Sequence, residues 1–284
     1  MREINVSAVE TSKGGRIVKK ILVNGLTESA GKTTAALALY SQLEEAGEVS
    51  LFKPLAGNNY WYDYPVVMEG VREGRLYGKD AKLFSERSGI EEEVINPLHR
   101  LWAPVGIVGG RGRPGDDVVL LDRICDGEGT RLLIDSRTVV PDALSPLTNG
   151  VDRVERYSDE EEHDEYINSL YPPAFRNSLS HFERADVLIV ESYSDVSLPY
   201  MVEGMDLAVT VEPGAAHVSD GEKFEEANSM VRGVYRNYGF EETRTGKVLR
   251  LVDSETLRLN PVDPKDSGGG EGFEELAEAV NGGL

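Results

Sequence analysis

The chain has 284 residues, with 50 acidic and 30 basic side chains and a formal net charge of −20. A surface of that sign repels nucleic acid and anionic membranes, so we expect neither as a partner. The apolar runs are strand-sized and shorter than the ~20 residues that a membrane span needs. A single cysteine, Cys125, excludes a disulfide framework and a cysteine-based zinc site.

Composition also bears on where the protein works. Residues 1–16 contain no apolar segment of the kind found in a secretory signal, so we predict a cytoplasmic protein. The acidic excess suggests the hypothesis that this cytoplasm is rich in salt, because ions screen the repulsion between like charges. A soluble acidic protein at ordinary ionic strength is the alternative.

The first part of the chain is typical of a βαβ unit. After a polar lead-in over residues 1–17, the segment Ile17 to Asn24 is β-branched and apolar, as in a strand. Gly31 to Leu43 has apolar residues at helical spacing, and Glu48 to Phe52 has the character of a second strand. This order predicts neighbouring parallel strands.

Further elements follow along the chain. We predict helices over residues 80–88, 164–185 with an interruption near Pro172, 224–238 and 273–280. We predict strands over residues 187–190, 207–211 and 247–252, and either a strand or a helix over residues 131–135. Irregular, turn-rich or linker segments are expected over residues 57–78, 109–117 and 266–270.

Together these elements predict one α/β domain over residues 1–284, with a mostly parallel sheet flanked by helices. The polar segment 136–165 is expected to be an insertion or a lid. Its acidic run over residues 158–165 fits a solvated loop or helix start better than a cation site.

A phosphate-binding loop is predicted between the first strand and the first helix. Gly31-Lys32-Thr33-Thr34 lies where backbone N–H groups and a helix N-terminus converge, which suits a phosphate. Lys32 would reach the β- and γ-phosphates, and the Thr33 hydroxyl would bind Mg²⁺. The usual first glycine position holds Leu26, and the glycine is one residue earlier. The predicted nucleotide-binding residues are Gly25, Glu28, Ser29, Ala30, Gly31, Lys32, Thr33 and Thr34.

The glycine spacing G-x5-G-K-T resembles the loop of dethiobiotin synthetase. Other segments resemble that family in the same order along the chain: Lys53-Pro54-Leu55-Ala56-Gly57, Asp80-Ala81, Asn96-Pro97 with Pro104, Gly112-Arg113-Pro114, and the strand from Asp186 to Glu191. The match covers roughly residues 20–120 and 185–217. The resemblance implies a P-loop NTPase fold, ATP and Mg²⁺ as ligands, and a homodimer.

Carried over to this sequence, the resemblance implies a catalytic pair and a metal site. Lys32 and Lys53 would stabilise phosphate charge, and Lys53 would also reach a carboxylate or carbamate intermediate. Thr33, Asp80 and Glu191 would surround Mg²⁺, which prefers hard oxygen ligands. Independently of the family, Glu191 ends an apolar strand, where open α/β sheets bind ligands.

Departures from the family concern the acceptor substrate. The family's acidic loop positions hold Thr27 and Ser29, and its glycine-rich segment after the strand is Glu191-Ser192-Tyr193-Ser194-Asp195. We therefore expect a small-molecule substrate other than diaminopelargonate. Its pocket would be lined by Tyr193, Asp195 and the aromatic run of residues 60–62.

Ordinary structural roles remain open for several of these residues. Asp80 could be a helix N-terminal acid stabilised by the helix dipole. Lys53 could be a surface lysine, Glu191 a helix cap or surface carboxylate, and the aromatic run of residues 60–62 could simply pack. Cys125 fits a small buried residue.

The sequence favours an ATP-dependent ligase or synthetase that activates a carboxylate or carbamate through the γ-phosphate. A regulatory ATPase switch acting on a protein partner is the main alternative. The stretch Lys13 to Arg16 resembles the start of the MinD/ParA loop, but it lacks the Gly-Lys-Thr that should follow. The sequence has no N-K-x-D motif, which argues against a GTPase. The intact Gly31-Lys32-Thr33 argues against a binding module without turnover.

Overall fold

A computed structural model describes residues 18–110, 112–199, 201–235, 242–263 and 272–283, with the backbone alone at residues 234 and 235. The predicted lead-in over residues 1–17, with its Lys13 to Arg16 turn, and the predicted linker over residues 266–270 lie outside this range. Within it the protein is an α/β structure with two mixed sheets flanked by helices. None of the described helices is long and apolar enough to cross a membrane.

The described elements alternate along the chain. The strands are β1 (Lys19–Gly25), β2 (Val49–Phe52), β3 (Leu55–Asn59), β4 (Leu98–Pro104), β5 (Asp117–Cys125), β6 (Thr130–Asp135), β7 (Arg153–Tyr157), β8 (Val187–Glu191), β9 (Leu207–Glu212), β10 (Ala215–Asp220) and β11 (Glu255–Arg258). The helices are α1 (Lys32–Leu43), α2 (Tyr64–Glu73), α3 (Lys79–Ser88), α4 (Glu92–Ile95), α5 (Val105–Val108), α6 (Ser145–Asn149), α7 (Glu160–Ser180), α8 (Gly221–Tyr235), α9 (Thr245–Val248) and α10 (Phe273–Gly283).

The first sheet has the strand order β11-β10-β9-β1-β8-β2. Strands β9, β1, β8 and β2 are parallel, and β10 and β11 add to it in antiparallel fashion. Val23 of β1 is in register with Glu191 of β8, so these two strands end side by side. Ile21, Leu22 and Val23 are fully buried, as expected for a parallel strand covered on both faces.

The second sheet has the order β3-β4-β5-β6-β7. Its β3–β4 and β6–β7 pairs are parallel, and β5 is antiparallel to both neighbours. Only Lys53 and Pro54 separate β2 from β3, so the two sheets meet at Lys53. The expectation of a mostly parallel sheet is corrected to two mixed sheets. Strands β4 and β5 were not recognised, because the buried polar side chains His99 and Arg123 interrupt their apolar pattern.

Helix α7 packs against both sheets. Phe175 lies in the core below the first sheet, with its ring centroid 5.4 Å from that of Phe52. Tyr171 and Ala174 lie in the core below the second sheet. Helix α7 therefore bridges the cores of the two sheets.

The acidic run over residues 158–165 was expected to be a solvated loop or a helix start, and most of it forms the first turns of α7. Asp159 caps the helix by accepting a hydrogen bond from the Glu162 backbone N–H at 3.0 Å, and the Ser158 N–H donates to the Glu162 side chain at 2.7 Å. This reciprocal capping starts the helix earlier than residue 164. The predicted interruption is also wrong, because α7 continues through Pro172 and Pro173.

Two further sequence predictions are corrected. Residues 57–78, expected to be irregular, contain the end of β3 and all of α2. Residues 247–252, expected to be a strand, continue α9 into a short 3-10 helix over Leu249–Leu251. The alternation in this segment is misleading because Leu251 is 58% exposed. The turn is fixed by Thr245, whose N–H and hydroxyl both donate to the Asp195 carbonyl.

Candidate functional site

The loop between β1 and α1 depends on two glycines. A Cβ at Gly25 would lie 3.0 Å from the Ala30 Cβ and 3.1 Å from the stem of Lys32, so a side chain there would displace the lysine. Gly31 has φ +97°, in the left-handed region that favours glycine. Both glycines keep the loop tight against its lysine. Ala30 is buried, Thr33 and Thr34 are half-buried, and Glu28 and Ser29 face solvent.

Lys32 folds back into this loop and is only 5% exposed. Its Nζ donates to the carbonyls of Thr27 at 3.1 Å, Glu28 at 2.7 Å and Ser194 at 2.7 Å. Burial lowers the pKa of Lys32, and the nearby Lys53 charge also lowers it, while Glu191 acts in the opposite direction. A buried ammonium with neutral carbonyl partners gains from an anionic partner, because charge-assisted hydrogen bonds are the stronger ones.

Four further predicted residues come together beside this loop. Lys53 follows β2, Asp80 is in the first turn of α3, Glu191 ends β8, and Thr33 is in the first turn of α1. The Lys53 Nζ donates to Asp80 Oδ2 at 2.9 Å and to Glu191 Oε1. The Thr33 hydroxyl donates to the same Glu191 oxygen at 3.1 Å. The structure thus brings together residues that are far apart in sequence.

Burial and charge act against each other in this cluster. Burial raises the pKa of Glu191, helped by the negative charge of Asp80 and opposed by Lys53. Burial would also raise the pKa of Asp80, but the charge and hydrogen bond of Lys53, with Thr33 and Lys32, together outweigh it and the pKa of Asp80 is lowered. Burial would lower the pKa of Lys53, but the two carboxylates outweigh it and the pKa of Lys53 is raised. Lys53 is therefore a permanent cation between two carboxylates.

The predicted magnesium ligands fit a hard cation. Glu191 Oε2 is buried and has no hydrogen-bond partner, and the Lys53 ammonium stands in for a cation between Asp80 and Glu191. Within the described ranges, no group of three or more His, Cys, Asp or Glu side chains could hold a metal. Mg²⁺ is usually bound through one or two carboxylates with waters and substrate phosphates, so such a group is not required.

A buried network behind Lys53 was missed by sequence reasoning. The Asn96 side chain donates to the Lys53 carbonyl at 2.7 Å, and Arg123 donates to the Asn96 carbonyl. Arg123 also donates to the Leu76 carbonyl and to Glu92, each at 2.7 Å, and is 1% exposed. These bonds fix the backbone that carries Lys53. No motif signals them, because the partners come from separate elements.

The predicted substrate residues face different partners. The Tyr193 hydroxyl donates to Glu242, and burial raises the pKa of Tyr193. The Asp195 carbonyl accepts from Thr245, and its carboxylate lies 3.7 Å from Arg244. Both side chains therefore pair with the segment after residue 241.

The aromatic run of residues 60–62, which was expected to line a substrate pocket or to pack, is largely at the surface. Trp61 is 64% exposed and Tyr62 is 78% exposed, while Tyr60 packs beside the core of the second sheet. This run mostly faces solvent.

Comparison with known proteins adds no relative. The chain matches no protein-family model, and no curated protein matches it in sequence. The resemblance to dethiobiotin synthetase therefore remains a prediction that rests on the motifs quoted above.

Proposed function

We propose that the protein is a P-loop NTPase related to dethiobiotin synthetase, and that it is an Mg²⁺-dependent, ATP-consuming ligase or synthetase acting on a small molecule. The observation that carries the proposal is the convergence of Lys32, Thr33, Lys53, Asp80 and Glu191 at the carboxyl ends of β1 and β8. Ligands of open α/β sheets bind at such ends.

The Gly25–Thr34 loop suits a triphosphate. The first turn of α1 presents backbone N–H groups without helical partners, and these favour an anion. Lys32 would exchange its carbonyl partners for phosphate oxygens. A bound Mg²⁺, held by Thr33, Asp80 and Glu191, would neutralise charge on those oxygens.

Lys53 distinguishes a ligase from a simple ATPase. A carboxylate or carbamate oxygen of the substrate attacks the terminal phosphorus, the bond to the bridging oxygen breaks, and ADP leaves with the electron pair. An amine then attacks the carbonyl carbon, phosphate leaves, and the amine proton passes to water. Lys53 would hold the substrate carboxylate beside the phosphate by charge, so catalysis rests on positioning and electrostatics.

A regulatory switch acting on a protein partner is the second candidate. The exposed aromatic side chains Trp61, Tyr62 and Tyr64 favour it, because exposed apolar surface of this kind often binds a partner. In that case hydrolysis would change conformation and would not respond to metabolites. A homodimer is proposed by analogy with the family alone.

Steady-state ATP hydrolysis with Mg²⁺ and a panel of carboxylic and amino acids tests the ligase. We expect at least one compound to stimulate turnover of the wild type. Lys53→Ala should abolish this stimulation while ATP still binds, because Lys53 acts on the acceptor side of the γ-phosphate. Lys223→Ala, which removes an exposed lysine on α8, is the matched control and should behave as the wild type.

Two results would count against the ligase. One is slow hydrolysis that no metabolite changes, which would favour the partner-dependent switch. The other is stimulation that survives in Lys53→Ala, which would remove the role assigned to Lys53.

A further inference from the structure

A second polar cluster lies between α7 and the second sheet. Asp122 of β5 is fully buried, and its Oδ2 accepts from the Tyr171 hydroxyl at 2.6 Å and from Arg100 Nε at 3.4 Å. Arg100 also donates to the Tyr171 hydroxyl from Nη2 at 2.8 Å. His163 of α7 stacks on Tyr157 with a centroid distance of 4.2 Å and has its Nε2 3.9 Å from Asp122 Oδ2.

Further residues of this cluster lie at and after the carboxyl end of β6. Asp135 pairs with Arg137, and it also interacts electrostatically with His163. Tyr157 interacts electrostatically with Asp122, Asp135 and Arg137. Asp122 is in register with Leu133 of β6, and Asp135, two residues further along β6, is in register with Tyr157, so Asp122 and Asp135 lie on the same face of the sheet. Arg100, Asp122, His163, Tyr157, Asp135 and Arg137 are called the Asp122 cluster below.

The Asp122 cluster leaves buried polar atoms without partners. Asp122 Oδ1, His163 Nε2 and Arg137 Nη1 are buried and make no hydrogen bond to any described residue. Such atoms are rare in folded proteins, and three in one cluster indicate a missing polar partner. Asp122 Oδ1 needs a donor, whereas Arg137 Nη1 needs an acceptor. One molecule that carries a hydrogen-bond donor and a hydrogen-bond acceptor would pair with both atoms.

Charge narrows the class of that molecule. Two carboxylates, Asp122 and Asp135, balance two guanidinium groups, Arg100 and Arg137. A zwitterion leaves this balance unchanged, whereas a simple anion or cation would leave a buried net charge, which is costly. An ammonium group beside a carboxylate, as in an amino acid, supplies both the donor and the acceptor.

The Asp122 cluster is close to the candidate nucleotide site. Leu55, two residues after Lys53, and Tyr193, two residues after Glu191, pack in the same apolar group as Tyr157 and Tyr171. Tyr193 also interacts electrostatically with Arg100. The next residue along, Ser194, accepts the hydrogen bond from Lys32.

We propose that the Asp122 cluster binds a small amino acid, with its amino group on Asp122 and its carboxylate on Arg137 and His163. This rests on the proposed function in one respect, since the amino acid is the amine that attacks the activated carboxylate. The amine is held as an ammonium group until it loses a proton to water. Asp122 is then a substrate-binding residue that fixes the position of the attacking nitrogen.

Binding without nucleotide tests the site. A panel of common L-amino acids is titrated into the full chain, with line broadening in ligand NMR spectra as the readout. We expect at least one amino acid to bind. The same molecule without its amino group, or without its carboxylate, should bind at least about tenfold more weakly, because each leaves a buried group unpaired. Asp122→Asn and His163→Gln should each weaken binding by about tenfold, since each removes a charge-assisted or aligned hydrogen bond.

Asp126→Asn is the matched control, because Asp126 pairs with Arg131 in the turn after β5 of the same sheet. If Asp122→Asn does not fold, His163→Gln carries the test alone. No binding of any amino acid to the wild type, or binding to both variants that is as tight as binding to the wild type, overturns the site. If metabolites stimulate hydrolysis but no amino acid binds, only the amino-acid site is excluded. If an amino acid binds but the protein never hydrolyses ATP, the ligase function is excluded and the amino-acid site stands.

Discussion

At the scale of single residues, Lys53 and Glu191 were predictable and their surroundings were not. Both positions follow from motif resemblance, and Glu191 also from its place at the end of an apolar strand. Asn96 and Arg123, which hold the backbone at Lys53, carry no motif. Their roles depend on contacts between β5, α4 and the segment after β2, and these contacts exist only in the folded chain.

His99 gives a pH prediction. The side chain is fully buried, and burial, with the charges of Arg123 and Lys53, lowers its pKa well below 6.5, although Asp80 acts in the opposite direction. The native protein keeps His99 neutral, while the unfolded chain takes up a proton as the pH falls through 6.5. Stability from this residue is therefore present at higher pH and is lost as the pH falls, at up to about 1.4 kcal/mol per pH unit.

Urea unfolding at about pH 7.5 and about pH 5.5 checks this. The wild type should lose more stability over this interval than His99→Gln does. His181→Gln, which changes an exposed histidine, should lose as much as the wild type. Equal losses in the wild type and in His99→Gln would show that His99 does not contribute.

At the scale of elements, strands with regular apolar patterns were predicted and strands with buried charges were missed. β1, β8 and β9 are buried apolar runs, and the predicted bounds agree to within about two residues at each end. β5 buries Asp122 and Arg123, so its pattern resembles that of an exposed segment. Hydrophobic periodicity cannot reveal a strand whose buried positions are polar.

Arg123 ties together three segments, and its loss should be costly. Its guanidinium bonds to the Leu76 carbonyl, Glu92 and the Asn96 carbonyl. Arg123→Met removes the closer counterion of the buried Glu92 and leaves it only Arg75 at 3.7 Å, so we expect a loss of about 3 kcal/mol in the free energy of unfolding. Adding Glu92→Met should recover part of it. Chemical denaturation measures both.

Arg153→Met is the control for this prediction. Arg153 lies on β7 of the same sheet with a side chain that is 54% exposed, and its removal should cost less than about 1 kcal/mol. A similar small loss in Arg123→Met would mean that Arg123 does not hold these three segments together.

At the scale of the whole molecule, the net charge of −20 should make stability depend on salt. Like charges repel in the compact state, and raising the ionic strength from about 0.1 M to about 1 M shortens the screening length from about 10 Å to about 3 Å. We expect the Tm to rise with added KCl, measured by circular dichroism. A Tm that stays level or falls would contradict both this repulsion and the hypothesis of a salt-rich cytoplasm.

The two-sheet architecture could not be predicted from the sequence. The Lys53-Pro54 pair indicates the end of a strand, but this pattern does not show that the chain continues directly into a strand of a second sheet. The consequence for function is substantial, because this junction places Lys53 where both sheets contribute to its surroundings. Tyr193, which follows β8, packs in the same apolar group as Tyr157 of the Asp122 cluster.

The central claim is that the Gly25–Thr34 loop binds a nucleoside triphosphate through Lys32. Isothermal titration of ATP with Mg²⁺ into the wild type, Lys32→Ala and the control Lys223→Ala tests it most directly. We expect the wild type and the control to bind alike, and Lys32→Ala to bind about 10- to 100-fold more weakly, because a hydrogen bond from a charged group is lost. Absence of ATP binding by the wild type, or equal affinity in Lys32→Ala, would contradict the claim.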